Sequence, residues 1–161
     1  MVVRFKVLGR PLALKRHRIG RGNRCFDPSA ADKRKLLARA LPHAPEVPFG
    51  GAIAVTVEFA ITRPKSHYRT GRNKHLLKKG AATFPRCPDV DNLLKFVLDA
   101  LNASPFYADD CQVVRASARK VYTAADTADD TADNDDDAGG YTDVRIADVP
   151  ADTLESGDFW T

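Results

Sequence analysis

The chain has 161 residues, of which 43% are hydrophobic, so it is long enough to bury the core of one compact domain and short for two. Its formal net charge of +4 divides unevenly: residues 1–122 carry 24 Lys and Arg against 9 Asp and Glu, whereas residues 123–161 carry one Arg against 12 acids. No apolar run reaches the roughly 18 residues of a membrane span, and the first residues alternate with charges, so we expect a cytoplasmic protein without membrane contact.

The first half of the chain combines predicted strands with basic segments. Residues 2–8, VVRFKVL, alternate apolar and charged side chains, which predicts a half-buried strand. Residues 9–28 are rich in cations and glycine and fit neither regular period, which indicates a loop or arm. The following stretch, SAADKRKLLARAL, predicts a short amphipathic helix with Ser29 as its N-cap.

A long strand and a second basic segment follow. Residues 53–61 alternate strictly and end before Pro64, which predicts a strand. Residues 65–87 interleave basic side chains with Tyr68 and Phe84 and are expected to form a loop or mobile arm. Such a composition suits contacts with a nucleic-acid backbone and stacking on bases, although an exposed, solvated loop explains it too.

The last part of the chain predicts a helix and two strands. PDVDNLLKFVLDALN places leucine and valine on one helical face through Asn102, and CQVVRASARKVY and YTDVRIADV each alternate as strands do. The acidic run between these strands, residues 123–138, contains no large apolar side chain and is expected to be a disordered hairpin insertion. The order of elements predicts an α+β domain over residues 1–149, with a mixed, largely antiparallel sheet and two main helices, and a C-terminal tail over residues 150–161.

Four aspartates bracket the second predicted helix: Asp89 and Asp91 at its start, Asp109 and Asp110 after its end. The connection behind the helix is long enough, if extended, to bring the second pair back beside the first. Gathered carboxylates need a compensating cation, and oxygen ligands select Mg²⁺ or Mn²⁺, which can activate water against a phosphodiester. Plainer explanations also exist: Asp89 could serve only as a helix cap, and Asp109 and Asp110 could only form a turn before the next strand.

Lys95 follows Asp91 by four residues and therefore lies on the same face of the predicted helix. It could neutralise charge in the transition state or orient a carboxylate. The alternative is a simple ion pair with Asp91 or Asp99. Asp99 itself is expected to be a surface residue without a role in the site.

The segments PDVDNLLKFVLDALN and FYADDCQVV resemble the RusA family of Holliday-junction resolvases. Asp89, Asp91, Asn92, Leu93 and Lys95 match the family's D-x-D-N-L-x-K at a helix start, and a D-D-x-Q-V pattern entering a strand follows at residues 109–113. The resemblance covers roughly residues 1–122 and the final strand, and the acidic run departs from it.

The resemblance implies a RusA-like fold and a homodimeric endonuclease that binds four-way DNA junctions and cuts them symmetrically with Mg²⁺ or Mn²⁺. By position, Asp89, Asp91 and Asp110 would be the catalytic, metal-binding carboxylates and Lys95 the catalytic lysine, with Asp109 a less certain neighbour. We assign phosphate contacts to the cations of the two arms: Lys15, Arg16, Arg18, Arg21, Arg69, Arg72, Lys74, Lys78, Lys79 and Arg86.

Two other functions fit the composition. A non-catalytic DNA-binding accessory protein would use the same cations with purely structural carboxylates, and an RNA-binding protein would use the segment of residues 65–87. Metal-dependent nicking separates both from a nuclease, because a binding module needs no Mg²⁺.

Overall fold

A computed structural model describes residues 1–20, 23–123 and 139–151 of the protein. The regular elements in chain order are β1 (Val2–Leu8), β2 (Arg18–Ile19), β3 (Cys25–Phe26), α1 (Ala30–Ala40), β4 (Ile53–Ile61), α2 (Val90–Leu101), β5 (Val113–Tyr122) and β6 (Gly140–Asp148). The long predicted strands and both helices are confirmed. Arg21, most of the acidic run and nearly all of the predicted tail lie outside the described residues.

The main sheet has four strands in the order β1-β6-β4-β5. β6 is antiparallel to both of its neighbours, with Phe5 opposite Val144 and Val57 opposite the same residue on the other side. β4 and β5 are parallel, and α2 makes the crossover between them. The prediction of an α+β fold with a mixed, largely antiparallel sheet is therefore confirmed.

The strand order corrects one expectation. β5 and β6 are not neighbours, because β4 lies between them, so the acidic run does not close a hairpin. β5 ends beside the end of β4, where the N–H of Thr123 donates to the carbonyl of Ile61, and β6 begins opposite Ile61 at Gly140. Gly140 has φ +143°, and a Cβ there would lie 2.7 Å from the carbonyl oxygen of Ala60, so only glycine fits this start.

Both helices cover one face of the sheet. The apolar stripe of α2, namely Leu93, Phe96, Val97, Ala100 and Leu101, is buried against the inward side chains of β1, β4 and β6. The opposite face of the sheet is polar, and it carries a two-bond pair from Arg4 to Asp143 and a pair from Arg119 to Glu58. This alternation of inward apolar and outward polar residues produced the period-2 pattern in the sequence.

The first basic arm, the loop expected over residues 9–28, contains a short strand pair, β2 with β3. Ser29 precedes α1 as predicted but makes no side-chain cap. Its buried hydroxyl instead accepts the backbone N–H of Lys15 at 2.9 Å, which ties the arm to the helix. Among the described residues, no helix combines the length and apolar character that crossing a membrane requires.

Candidate active site

Asp89 and Asp91 lie at the N-terminus of α2. Asp89 occupies the N-cap position with an extended backbone, but its side chain makes no capping hydrogen bond, and Asp91 is exposed in the first turn. The chain before them is held by Lys120, whose ammonium group donates to the carbonyls of Arg86 at 3.0 Å and Pro88 at 2.6 Å. The alternative that Asp89 serves only as a cap is therefore not supported, and both carboxylates are available to a ligand.

Asp109 has a structural role in a single 3-10 turn, Asp110–Gln112. Its carboxylate accepts the N–H of Cys111 at 2.8 Å, and this hydrogen bond holds the pKa of Asp109 below its ordinary value. The Gln112 side chain completes a capping box, because its oxygen accepts the N–H groups of Ala108 and Asp109 at 2.9 and 3.1 Å. The plainer explanation, a turn before the strand, thus holds for Asp109.

Asp110 is exposed, and its backbone is fixed to the other end of α2. Its N–H donates to the side-chain oxygen of Asn102, the C-cap residue of α2, at 3.1 Å. Tyr107 lies nearby and donates its hydroxyl proton to the carbonyl of Leu98. Burial raises the pKa of Tyr107, and the negative charge of Asp110 raises it further.

The two groups of carboxylates do not meet within one chain. Asp89 and Asn102 mark the opposite ends of α2, roughly 20 Å apart at 1.5 Å per residue, and Asp110 is bonded to Asn102. The expected return of the chain does not occur, because Phe106 and Tyr107 are buried in the core and hold the connection compact at this end. Within the described residues, no group of three or more His, Cys, Asp or Glu side chains is arranged to hold a metal ion.

Lys95 is exposed on α2 and has no ion pair in the part of the chain that the structure describes. The alternative of a helix pair with Asp91 or Asp99 is therefore not supported. Asp99 binds Lys33 of α1 at 2.9 Å, and Lys33 also binds Asp27 at 2.9 Å. Asp99 thus joins the two helices, which corrects the expectation of a plain surface residue.

The first basic arm lies beside the Asp89 end of α2. The N–H of Leu14 donates to the carbonyl of Asn92 at 3.0 Å, so the cations that follow are held near the first turn of the helix. Arg16 and Arg18 are exposed, whereas Lys15 forms an ion pair with Asp32 at 3.1 Å. The predicted contact residue Arg21 lies outside the described residues.

The second basic arm, residues 65–87, forms the predicted loop, with no α-helix and no named strand. It contains two 3-10 turns and is closed by backbone bonds from Lys78 to His67 at 2.8 Å and from Arg69 to Leu76 at 2.8 Å. Its predicted DNA-contact residues are all exposed, namely Arg69, Arg72, Lys74, Lys78, Lys79 and Arg86. The arm leads directly into Asp89, so both basic arms are joined to this end of α2.

Sequence reasoning gave no role to Asn102 or Lys120, which position the two groups of carboxylates. An acid followed three residues later by Gln is a capping-box pattern, and that signal at Asp109 could have assigned Gln112 its part in the turn. Lys120 gave no such signal, because its partners are backbone carbonyls more than thirty residues away.

Comparison of the sequence with known proteins identifies relatives of the chain. The uncharacterized protein YqaN of Bacillus subtilis strain 168 is 34% identical over 126 residues, which cover 75% of this chain and 88% of the relative. The family model described as Endodeoxyribonuclease RusA matches residues 9–128, which include both basic arms and all four aspartates. The chain belongs to the RusA endodeoxyribonuclease family.

Proposed function

We propose that the protein is a metal-dependent endodeoxyribonuclease that resolves four-way DNA junctions by paired, symmetric nicks. The observation that carries the proposal is the N-terminus of α2, where two exposed carboxylates, without hydrogen-bond partners among the described residues, lie where both basic arms meet the helix. Cations on both sides of a carboxylate pair attract the phosphates of DNA towards these two acids. A plain DNA-binding surface would gain nothing from acids there.

The residues assigned to catalysis would divide the work. Asp89, Asp91 and Asp110 have the oxygen donors that Mg²⁺ or Mn²⁺ prefers, and the bound ion would supply charge stabilisation and an activated water. Lys95, one turn along α2 and without an ion pair among the described residues, would approach the same phosphate as a cation. The exposed arm cations would hold the backbone on either side without reading bases.

The carboxylates of one chain fit only parts of such a metal site, because Asp110 lies at the far end of α2. We infer that two copies complete it, with Asp89 and Asp91 from one protomer and Asp110 from its partner. A two-fold dimer would then hold two equivalent sites, as two symmetric nicks require. The homodimer is part of the proposal, and the separation of Asp110 from Asp89 within one chain supports it.

A mixing experiment tests both the activity and the shared site. Asp89→Asn, Asp91→Asn and Asp110→Asn should each abolish Mg²⁺-dependent junction cleavage while binding is retained or tightened, since each change removes negative charge. Asp99→Asn is the matched control and should still cleave, because Asp99 pairs with Lys33.

Subunits of Asp89→Asn and Asp110→Asn are then mixed and allowed to exchange. A shared site leaves one of the two sites in each mixed dimer intact, so single nicks should return. If the mixture stays inactive while wild-type mixtures cleave, each site belongs to one chain. If the wild-type protein binds junctions but never nicks them in Mg²⁺ or Mn²⁺, the protein is a binding module.

A further inference from the structure

A groove of about 550 Å³ lies between the second basic arm and the ends of β4 and β5. Ile61 and Tyr122, the last residues of the two strands, form one side, and residues 78–82 and 85–87 of the arm form the other. Cys87 lies two residues before Asp89, so the groove is within roughly 7 Å of chain from the first carboxylate of α2. A cation can contact a phosphate from a flat surface, so the phosphate contacts assigned to this arm do not account for a groove at this position.

The groove has a single sign of charge. Lys78, Lys79 and Arg86 line it, and its lining in the described part of the chain includes no Asp or Glu. A concave surface that carries only cations concentrates the field and favours an anion inside it over one on a flat surface. The groove therefore suits a phosphate group.

Contacts around the Tyr122 ring build the wall of the groove where β5 ends. The guanidinium of Arg63 lies 3.9 Å from the centre of the Tyr122 ring and donates to the carbonyl of Ala82 at 2.8 Å, and His67 meets the same ring edge-on at 5.8 Å. Nδ1 of His67 is buried and has no hydrogen-bond partner in the described residues. Because this atom is closed to solvent, the ring forms part of the wall, and the recognition of an anion is left to the exposed Lys78, Lys79 and Arg86.

The size of the groove selects the form of DNA. A space of about 550 Å³ falls in the range of sites that enclose one small ligand. A nucleotide of a single strand fits such a space, whereas a duplex, whose major groove alone is about 12 Å wide, can only lie across it. Cationic grooves that follow one backbone are typical of single-strand binding.

We propose that this groove seats one phosphate-bearing nucleotide of the strand to be cut, at the point where that strand leaves base pairing at the branch. The inference rests on the endonuclease function proposed above, because it is the position of Asp89 that makes the seated strand the cut strand. It would favour branched DNA over continuous duplex, since stacking is interrupted at a branch and a nucleotide there is more easily unpaired.

The first test fills the groove without changing its charge. Ala81 lines the groove and is half-buried, and Ala81→Trp should occupy the space of the nucleotide. Binding is measured in EDTA, where no cleavage occurs, with a short fluorescent oligothymidylate and with a matched blunt duplex. We expect about tenfold weaker oligothymidylate binding, the loss of one seated nucleotide, and unchanged duplex binding. Equal affinity for the oligothymidylate before and after the change would overturn the proposal.

The second test compares two pairs of cations, so that the proposal does not depend on the folding of one variant. Lys78→Gln with Lys79→Gln removes two groove cations, and Arg72→Gln with Lys74→Gln removes two from the same arm outside the groove lining. Both pairs should weaken duplex binding similarly, but only the groove pair should lose about tenfold more on the oligothymidylate. Similar losses for both pairs on both probes would reduce the groove to general electrostatics and refute the proposal.

A third test uses inorganic phosphate as the competitor. Phosphate and unlabelled oligothymidylate are compared as competitors at the same concentration of phosphate groups. If both displace the labelled oligothymidylate equally, the groove is a free-anion site and the proposal is wrong. Junction cleavage in Mg²⁺ is scored separately. If the groove variants bind oligothymidylate more weakly as expected but the wild-type protein never cleaves, the nuclease function alone is refuted. If the wild-type protein cleaves but the groove variants bind oligothymidylate as it does, the groove proposal alone is refuted.

Discussion

Gln112 offers the sharpest link between the fold and the candidate site. Its side chain accepts the N–H groups of Ala108 and Asp109 and donates to the carbonyls of Phe49 at 2.9 Å and Gly51 at 3.1 Å. It therefore joins the turn that carries Asp110 to the chain that enters β4. We predict that Gln112→Ala frees this turn while the core of the domain stays intact.

The expected size follows from the four bonds. A neutral hydrogen bond contributes about 0.5–1.5 kcal/mol net, and three of these four are exposed to water, so the loss should be about 2 kcal/mol. If that free energy holds Asp110 in position, single-turnover cleavage of a four-way junction should fall up to roughly thirtyfold. Junction affinity in EDTA should not change, because the variant keeps every cation. Gln112→Glu keeps the accepting oxygen and should lie between wild type and Gln112→Ala.

A stability control separates position from unfolding. Lys33→Met should cost a similar amount of stability at the other side of α2 and should leave cleavage near wild type below the melting temperature. Urea unfolding gives the stability of each variant. Normal single-turnover cleavage by Gln112→Ala, despite a measured loss of stability, would show that the turn does not need this side chain to place Asp110.

Three further predictions concern charges. Lys33 is largely buried between two carboxylates, and Lys33→Met should lower the free energy of unfolding by about 1–3 kcal/mol in urea titrations; no change would mean that the pairs are not formed. The hydrogen bond from Lys33 lowers the pKa of Asp27. The stability that this carboxylate contributes should therefore be complete above its unfolded pKa, near 3.8, and be lost as the pH falls through its folded pKa. If the free energies of unfolding of the wild-type protein and of Lys33→Met changed in parallel from pH 6 to pH 2, this prediction would be contradicted. Replacing Arg16 and Arg18 together should flatten the log-log salt dependence of DNA binding by roughly one to two units for every DNA shape, and an unchanged slope would place both side chains away from DNA.

The sequence allowed the elements to be predicted better than their arrangement. β4 and α2 were predictable because each buries one face, and burial leaves a period in the sequence. Periodicity does not say which strands pair, so β6 was wrongly placed beside β5. The prediction that Asp109 and Asp110 return to Asp89 used the greatest reach of an extended chain, which is only an upper bound. Phe106 and Tyr107 in the connection were the missed signal, because large apolar residues in a loop indicate that it folds onto the core.

The place where β5 ends and β6 begins has a consequence for engineering. Thr123 and Gly140 are both bonded to the end of β4, beside the groove and about one sheet length from the turn that carries Asp110. Both ends of this connection are held at the end of β4, so a longer connection would still join the same two points, and the cost of closing a flexible loop grows only slowly with its length. A dye or an affinity tag inserted there would report on a strand that occupies the groove without disturbing the Asp110 turn.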